Sequence, residues 1–233
     1  AAWADDWNDP SCLQDGYGLA MLRSGNGVSK RALWMMYGRA RGHTHDDIMH
    51  IGLDAFESEI LGHLGYPRNW NHWTKNWITQ LQARQIPFTN MSGSVQLFAD
   101  AGPVHIAEAR AQAFSDRVAS GEGYVVNADN WQRRLLAIID VDETQFYCID
   151  LYRIAGGNEM WWTFHAQEGE FHTEGLDLTP QGKGTLAGPD VPYGDDAWLK
   201  KAGCRKGNYG WSGGNFGFPH LYNVERARSD GGW

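Results

Sequence analysis

The segment Gly42-His43-Thr44-His45-Asp46-Asp47 gathers two imidazoles and two carboxylates, and Ile48-Met49-His50-Ile51-Gly52-Leu53 follows with a third imidazole. In an extended chain successive side chains alternate faces, so His43, His45 and Asp47 share one side. Two imidazoles and a carboxylate on one face suit zinc ligation or proton transfer near neutral pH. A hydrated turn ahead of a strand uses the same residues without any chemistry. Arg39, Arg41 and Arg68 flank the segment, and planar guanidinium groups hold carboxylates in bidentate fashion. Trp70, Trp73 and Trp77 offer ring faces for stacking on a ligand or for core packing. Tyr193, Tyr209 and Trp211 stand in a glycine-rich stretch further on.

The elements that must position these groups read as strands. Tyr17 to Arg23 and Arg31 to Tyr37 are apolar runs separated by Ser24-Gly25-Asn26-Gly27, which predicts a hairpin. Ile48 to Phe56 and Glu59 to Leu64 make a second pair. His105 to Ala113, Arg134 to Asp140, Gln145 to Ile154, Met160 to His165 and Leu221 to Ala227 are further strand candidates. Trp73, Trp77 and Leu81 fall four apart, the spacing of a short helix. Residues 179–217 are rich in Gly and Pro without a period and read as a long loop. Short strands with regular turns predict an all-β fold, an antiparallel β-sandwich.

Composition narrows the function. The 233 residues carry 20 basic and 28 acidic side chains, a net charge of −8, which disfavours nucleic acid and anionic membrane as main partners. No apolar run approaches the roughly 18 residues of a membrane span. Cys12, Cys148 and Cys204 are too few for a disulfide scaffold, and their odd number leaves one unpaired within the chain. Cys148 lies in an apolar strand pattern and is expected to be buried.

Gly42-His43-Thr44-His45-Asp46-Asp47 and the strand after it resemble the His-x-His-x-Asp segment of heparinase II/III-like polysaccharide lyases, relatives of alginate lyases. Ile60-Leu61-Gly62-His63-Leu64-Gly65-Tyr66-Pro67 is similar to that family's strand ending in Asp-x-Gly-Tyr. Arg133 to Asp140, Phe146 to Gly157 and Trp162-Thr163-Phe164-His165 resemble its later sandwich strands. The match runs from about residue 17 to 175, with a weaker echo at 217–227.

The resemblance implies a supersandwich-like β domain that works beside an N-terminal (α/α) toroid, a helical domain with no counterpart in this chain. Residues 1–233 then form a single, incomplete sandwich domain, with 1–16 a linker or toroid remnant. The implied activity is cleavage of a uronic-acid-containing polysaccharide by β-elimination, with this chain supplying the sandwich half of the active site. His43 takes the place of the family's cleft-facing acid–base or carboxylate-neutralising histidine, and Tyr209 that of a tyrosine contributed by a sandwich loop. Arg39, Arg41, Arg68 and Trp70 are the substrate-binding candidates. His45 and His63 occupy two ligand positions of a structural zinc, His63 standing where the family has Asp. The third ligand position holds Gln82, a poor zinc ligand, and His72 or His105 are its possible replacements. Asp47 suits a turn cap or a carboxylate orienting a histidine. An extracellular or periplasmic location and an acidic polysaccharide partner belong to the same expectation, although the chain displays no secretory signal pattern. The rival from a different class is a non-catalytic carbohydrate-binding or scaffold sandwich, which the altered positions His63 and Gln82 favour. A metal-dependent hydrolase built on the His cluster lacks a convincing third ligand and an activating Glu.

Overall fold

The computed structural model of the chain describes residues 10–38, 48–61, 93–112, 116–117, 124–125, 129, 131–155, 164, 166, 169–207, 210–212 and 217–229. Among them strand makes up 49% and helix 9%, against roughly 20–25% strand in ordinary domains. The chain divides into two compact units, 1–63 with 82–167 and 64–81 with 168–233.

The first unit contains β1 (Cys12–Gln14), β2 (Leu19–Ser24), β3 (Arg31–Met36), β4 (His50–Ala55), β5 (Ser58–Leu61), β6 (Ser94–Ala101), β7 (Val104–Gln112), β8 (Asp116–Arg117), β9 (Tyr124–Val125), β10 (Trp131–Asp140) and β11 (Phe146–Ala155). β1 to β5 form one antiparallel sheet in chain order, and a second sheet runs β11-β10-β7-β6. β8 and β9 pair as a short ribbon.

Alternation explains how the two sheets stack. On β3 Arg31, Leu33 and Met35 are buried while Ala32, Trp34 and Met36 are less so. On β10 Gln132, Arg134, Leu136 and Ile138 turn inward. Ala20, Leu22, Leu33, Met35 and Tyr37 of the first sheet therefore meet Ala107, Ala109, Ala111, Leu136 and Ile138 of the second in one core. Small alanines on β7 face large side chains opposite, which lets the layers interdigitate. This is the antiparallel two-layer arrangement the strand pattern predicts. Cys148 departs from expectation. It is exposed, on β11, which is an edge strand of its sheet among the described residues. Cys12 is half-buried and Cys204 buried.

The second unit holds β12 (Thr179–Pro180), α1 (Asp196–Lys201), β13 (Arg205–Gly207), β14 (Gly210–Ser212) and β15 (Glu225–Arg226). β12 pairs with β15 and β13 with β14. The Asp195 side chain caps α1 by accepting from the Trp198 amide at 2.5 Å, with Asp196 in the first turn and Lys200 and Lys201 in the last, matching the helix dipole. The stretch 179–217 thus carries local structure where the sequence reads as loop. Its helix is too short to display a 3.6-residue period.

Candidate functional site

β3 ends at Met36 and β4 begins at His50, so the His-rich segment joins two neighbouring strands of the first sheet at one end of the sandwich. Both flanks of the segment are held in place. On the approach, the Tyr37 and Gly38 amides donate to the Gly18 carbonyl at 2.7 and 2.9 Å, and the Gly93 amide donates to the Tyr37 carbonyl at 2.7 Å. Gly18 has a φ of +84°, and a Cβ there would meet the Gly38 backbone at 2.0 Å, so only glycine permits this junction. The Tyr37 hydroxyl donates to Asp15 at 2.9 Å. Burial, then that hydrogen bond, pushes the Tyr37 phenol well above its ordinary range.

On the exit, Met49 is buried with φ 68°, a left-handed conformation unusual for a side chain of that size. Its amide donates to the Met36 carbonyl at 2.6 Å, and its carbonyl accepts from Arg134 Nη1 at 2.7 Å. Arg134 crosses the interlayer from β10 to do this. Its Nε and Nη2 donate to the two Asp150 oxygens at 2.8 and 2.5 Å, and its guanidinium lies 4.5 Å from the Tyr152 ring centroid. The Tyr152 hydroxyl in turn donates to Gln132 at 2.5 Å. Burial pushes the Tyr152 phenol up to about 12, with Arg134 opposing and Asp150 adding to the shift. Tyr152 is therefore neutral at physiological pH and unsuited to removing a proton. Gln132, Arg134, Asp150 and Tyr152 are a clamp on Met49, and their effect on chemistry is to fix where the His-rich segment rejoins the sheet.

His43, His45, Arg39, Arg41, Asp47, His63, Arg68, Trp70, His72, Gln82 and Tyr209 lie outside the described residues, as do Trp73, Trp77 and His165. The strand expected from Ile48 begins instead at His50, since the left-handed Met49 interrupts extended backbone. Face alternation consequently does not carry from β4 back across Met49. His50 is buried and packs edge-on against Trp34 at 5.4 Å, on the sheet face opposite Leu33 and Met35.

His105 belongs to the opposite end of the sandwich. Its Nδ1 lies 2.5 Å from Asp100 Oδ1 and its Nε2 3.3 Å from Asp140 Oδ2. Asp140 Oδ1 also accepts from Arg31 Nη2 and Nε at 2.7 and 3.0 Å and from Ser24 at 2.9 Å. Arg31 lies over the Phe146 ring at 4.7 Å. The imidazole thus bridges two carboxylates. Among the described residues no three His, Cys, Asp or Glu side chains form a metal-binding group.

No family model, curated protein or solved structure matches the chain.

The clamp was absent from the sequence-based site. The signal available for it was Gln132 and Arg134 alternating with apolar residues on one strand, opposite Tyr152 and Asp150 on the next. Only the register, Arg134 opposite Tyr152 and Leu136 opposite Asp150, brings those four side chains to one spot.

Proposed function

We propose that the chain is the sandwich half of a polysaccharide lyase that cleaves a uronic-acid-containing glycan by β-elimination. The observation that carries this reading is the His-rich segment spliced between adjacent strands of an antiparallel sandwich, with both of its flanks tied down by buried contacts. Elimination requires that the substrate carboxylate be neutralised, the C5 proton removed and the O4 leaving group protonated. Arg39, Arg41 and Arg68 serve the first task as bidentate donors. His43 and Tyr209 serve proton transfer, which needs groups near neutral pKa held in fixed geometry. Trp70 stacks on a sugar ring. A zinc ion on His45 and His63 would be structural, cross-linking the two ends of the β4–β5 hairpin region; elemental analysis of the purified protein checks it, and one zinc per chain lost in His45→Ala is expected. A helical toroid, as a domain or a separate chain, completes the active site. The outer face of the β11-β10-β7-β6 sheet supports a partner. Its cross-strand row Val104, Ile139 and Tyr147 is apolar, with Val104 and Tyr147 exposed, while the row Leu97, Glu108, Leu135 and Leu151 sets the exposed Leu97 and Leu151 around Glu108, which pairs with Arg133 and Arg153.

The competing reading, a non-catalytic carbohydrate-binding module, is favoured by Gln82 at the third ligand position. Digestion of a panel of uronate polymers separates the two. Products with unsaturated ends, followed by ultraviolet absorbance, belong to the lyase, and binding without cleavage belongs to the module. No helix among the described residues is long and apolar enough to cross a membrane.

A further inference from the structure

The second unit contains a cleft of about 520 Å³ that includes Pro180, Gln181, Lys183, Tyr222, Asn223 and Glu225 in its walls. The volume falls within the roughly 300–1,000 Å³ of ligand pockets. Its walls are two turns tied together at their bases. β12 sets Pro180 opposite Glu225 of β15, and the Gln181 amide donates to the Val224 carbonyl at 2.8 Å. The Gln181 side chain locks the first turn, donating to the Lys183 and Thr185 carbonyls at 2.9 Å each and accepting from Arg226 Nη2 at 3.2 Å. Gly184 has φ +75°, and a Cβ there would meet the Gly188 carbonyl oxygen at 2.4 Å, so this turn is built for one shape. Asn223, φ 54°, forms the corner of the second turn.

Tyr222 lines the cleft, and Tyr193 packs against its ring. Tyr222 is 64% exposed and Tyr193 60% exposed. Their centroids lie 6.0 Å apart at 75°, and Tyr193 meets the His220 ring edge-on at 5.2 Å. Two large rings left in water yet braced against each other form a preorganised corner, and such rings combine an apolar face with a polar rim. The charges balance: the charged side chains in its walls are Lys183 and Glu225, and Lys183 is paired with Asp190 at 2.7 Å. A polyanion would gain no net attraction there.

We propose that this cleft binds a neutral sugar unit of a glycan, one pyranose face lying on the Tyr222–Tyr193 corner and its hydroxyls meeting Asn223, Glu225 and the turn backbone. The site lies within the second unit and does not depend on the chemistry of the His-rich segment.

The test is calorimetric titration of the full chain with neutral xylan, cellulose and mannan oligosaccharides and, in parallel, with uronate oligosaccharides. At least one neutral oligosaccharide should bind, and Tyr222→Ala and Tyr193→Ala should each raise its Kd about 2- to 10-fold, as expected for loss of one aromatic contact. Tyr222→Phe, which keeps the ring, should bind like the parent. Circular dichroism should report an unchanged fold for all three variants, since both rings are more than half exposed. If a variant does not fold, the remaining alanine variant and selective broadening of tyrosine resonances on titration decide. Absence of binding by every neutral saccharide, binding indifferent to both tyrosines, or preference of the same tyrosines for uronate oligosaccharides or for peptide would overturn the assignment.

Discussion

Arg31 and Arg134 do equivalent work at opposite ends of the interlayer. Each is almost wholly buried, each is paired with a carboxylate of the second sheet, and each lies over an aromatic ring of β11. A buried arginine is tolerable only when its charge and donors are matched. Replacing Arg134 with Met removes the cation from Asp150 and the donor from the Met49 carbonyl. It should destabilise the fold by about 3 kcal/mol, the lower end of the range for breaking a buried pair because Asp150 retains some solvent contact. Arg134→Met combined with Asp150→Leu should recover much of that loss. Denaturant unfolding of the two variants checks both values, and a single variant as stable as the parent would remove the clamp from the fold's support. Tyr152 adds a pH signature. Its phenol is raised from 10.0 to about 12 in the folded chain, so the native state keeps a proton that the unfolded state gives up. The stabilisation is complete below pH about 10 and is lost as pH rises toward about 12. The denaturation midpoint should fall through that window, and less steeply in Tyr152→Phe.

At the scale of elements, the strands that the sequence predicts are those with clean alternation. β2, β3, β7 and β10 bury alternate residues against the other sheet, and that period is visible without coordinates. β6 was missed for a physical reason: a register shift between Val95 and Leu97 breaks its period of two. The β4–β5 turn carries no Asn-Gly signal either. Phe56 and Glu57 both adopt positive φ, 52° and 60°, in a two-residue hairpin of the mirror-image type. Phe56 stays because its ring meets Phe146 at 5.8 Å, a contact a turn residue would forfeit. Glu57 is exposed. Glu57→Gly should therefore raise stability by about 0.5–1 kcal/mol, the left-handed strain relieved less the entropy glycine loses. An unchanged or lower unfolding midpoint would mean that the turn is not strained. The candidate site was legible only as a cluster of residue types. Its clamp depends on cross-strand register, which no local pattern encodes.

At the scale of the molecule, the proposed elimination rests on a His-rich connection at one end of the sandwich and on a partner that would complete the site. The measurement that bears most directly on the lyase reading is digestion of alginate, heparan and other uronate polymers by the purified protein, with and without any helical chain that copurifies. Ultraviolet-absorbing unsaturated ends should accumulate with at least one polymer. His43→Ala should lower turnover by about 10²–10⁴-fold, the usual worth of a positioned proton-transfer group, while circular dichroism stays unchanged. Absence of unsaturated ends across the whole panel, or undiminished turnover in His43→Ala, would contradict the proposed elimination and its assignment to the His-rich segment.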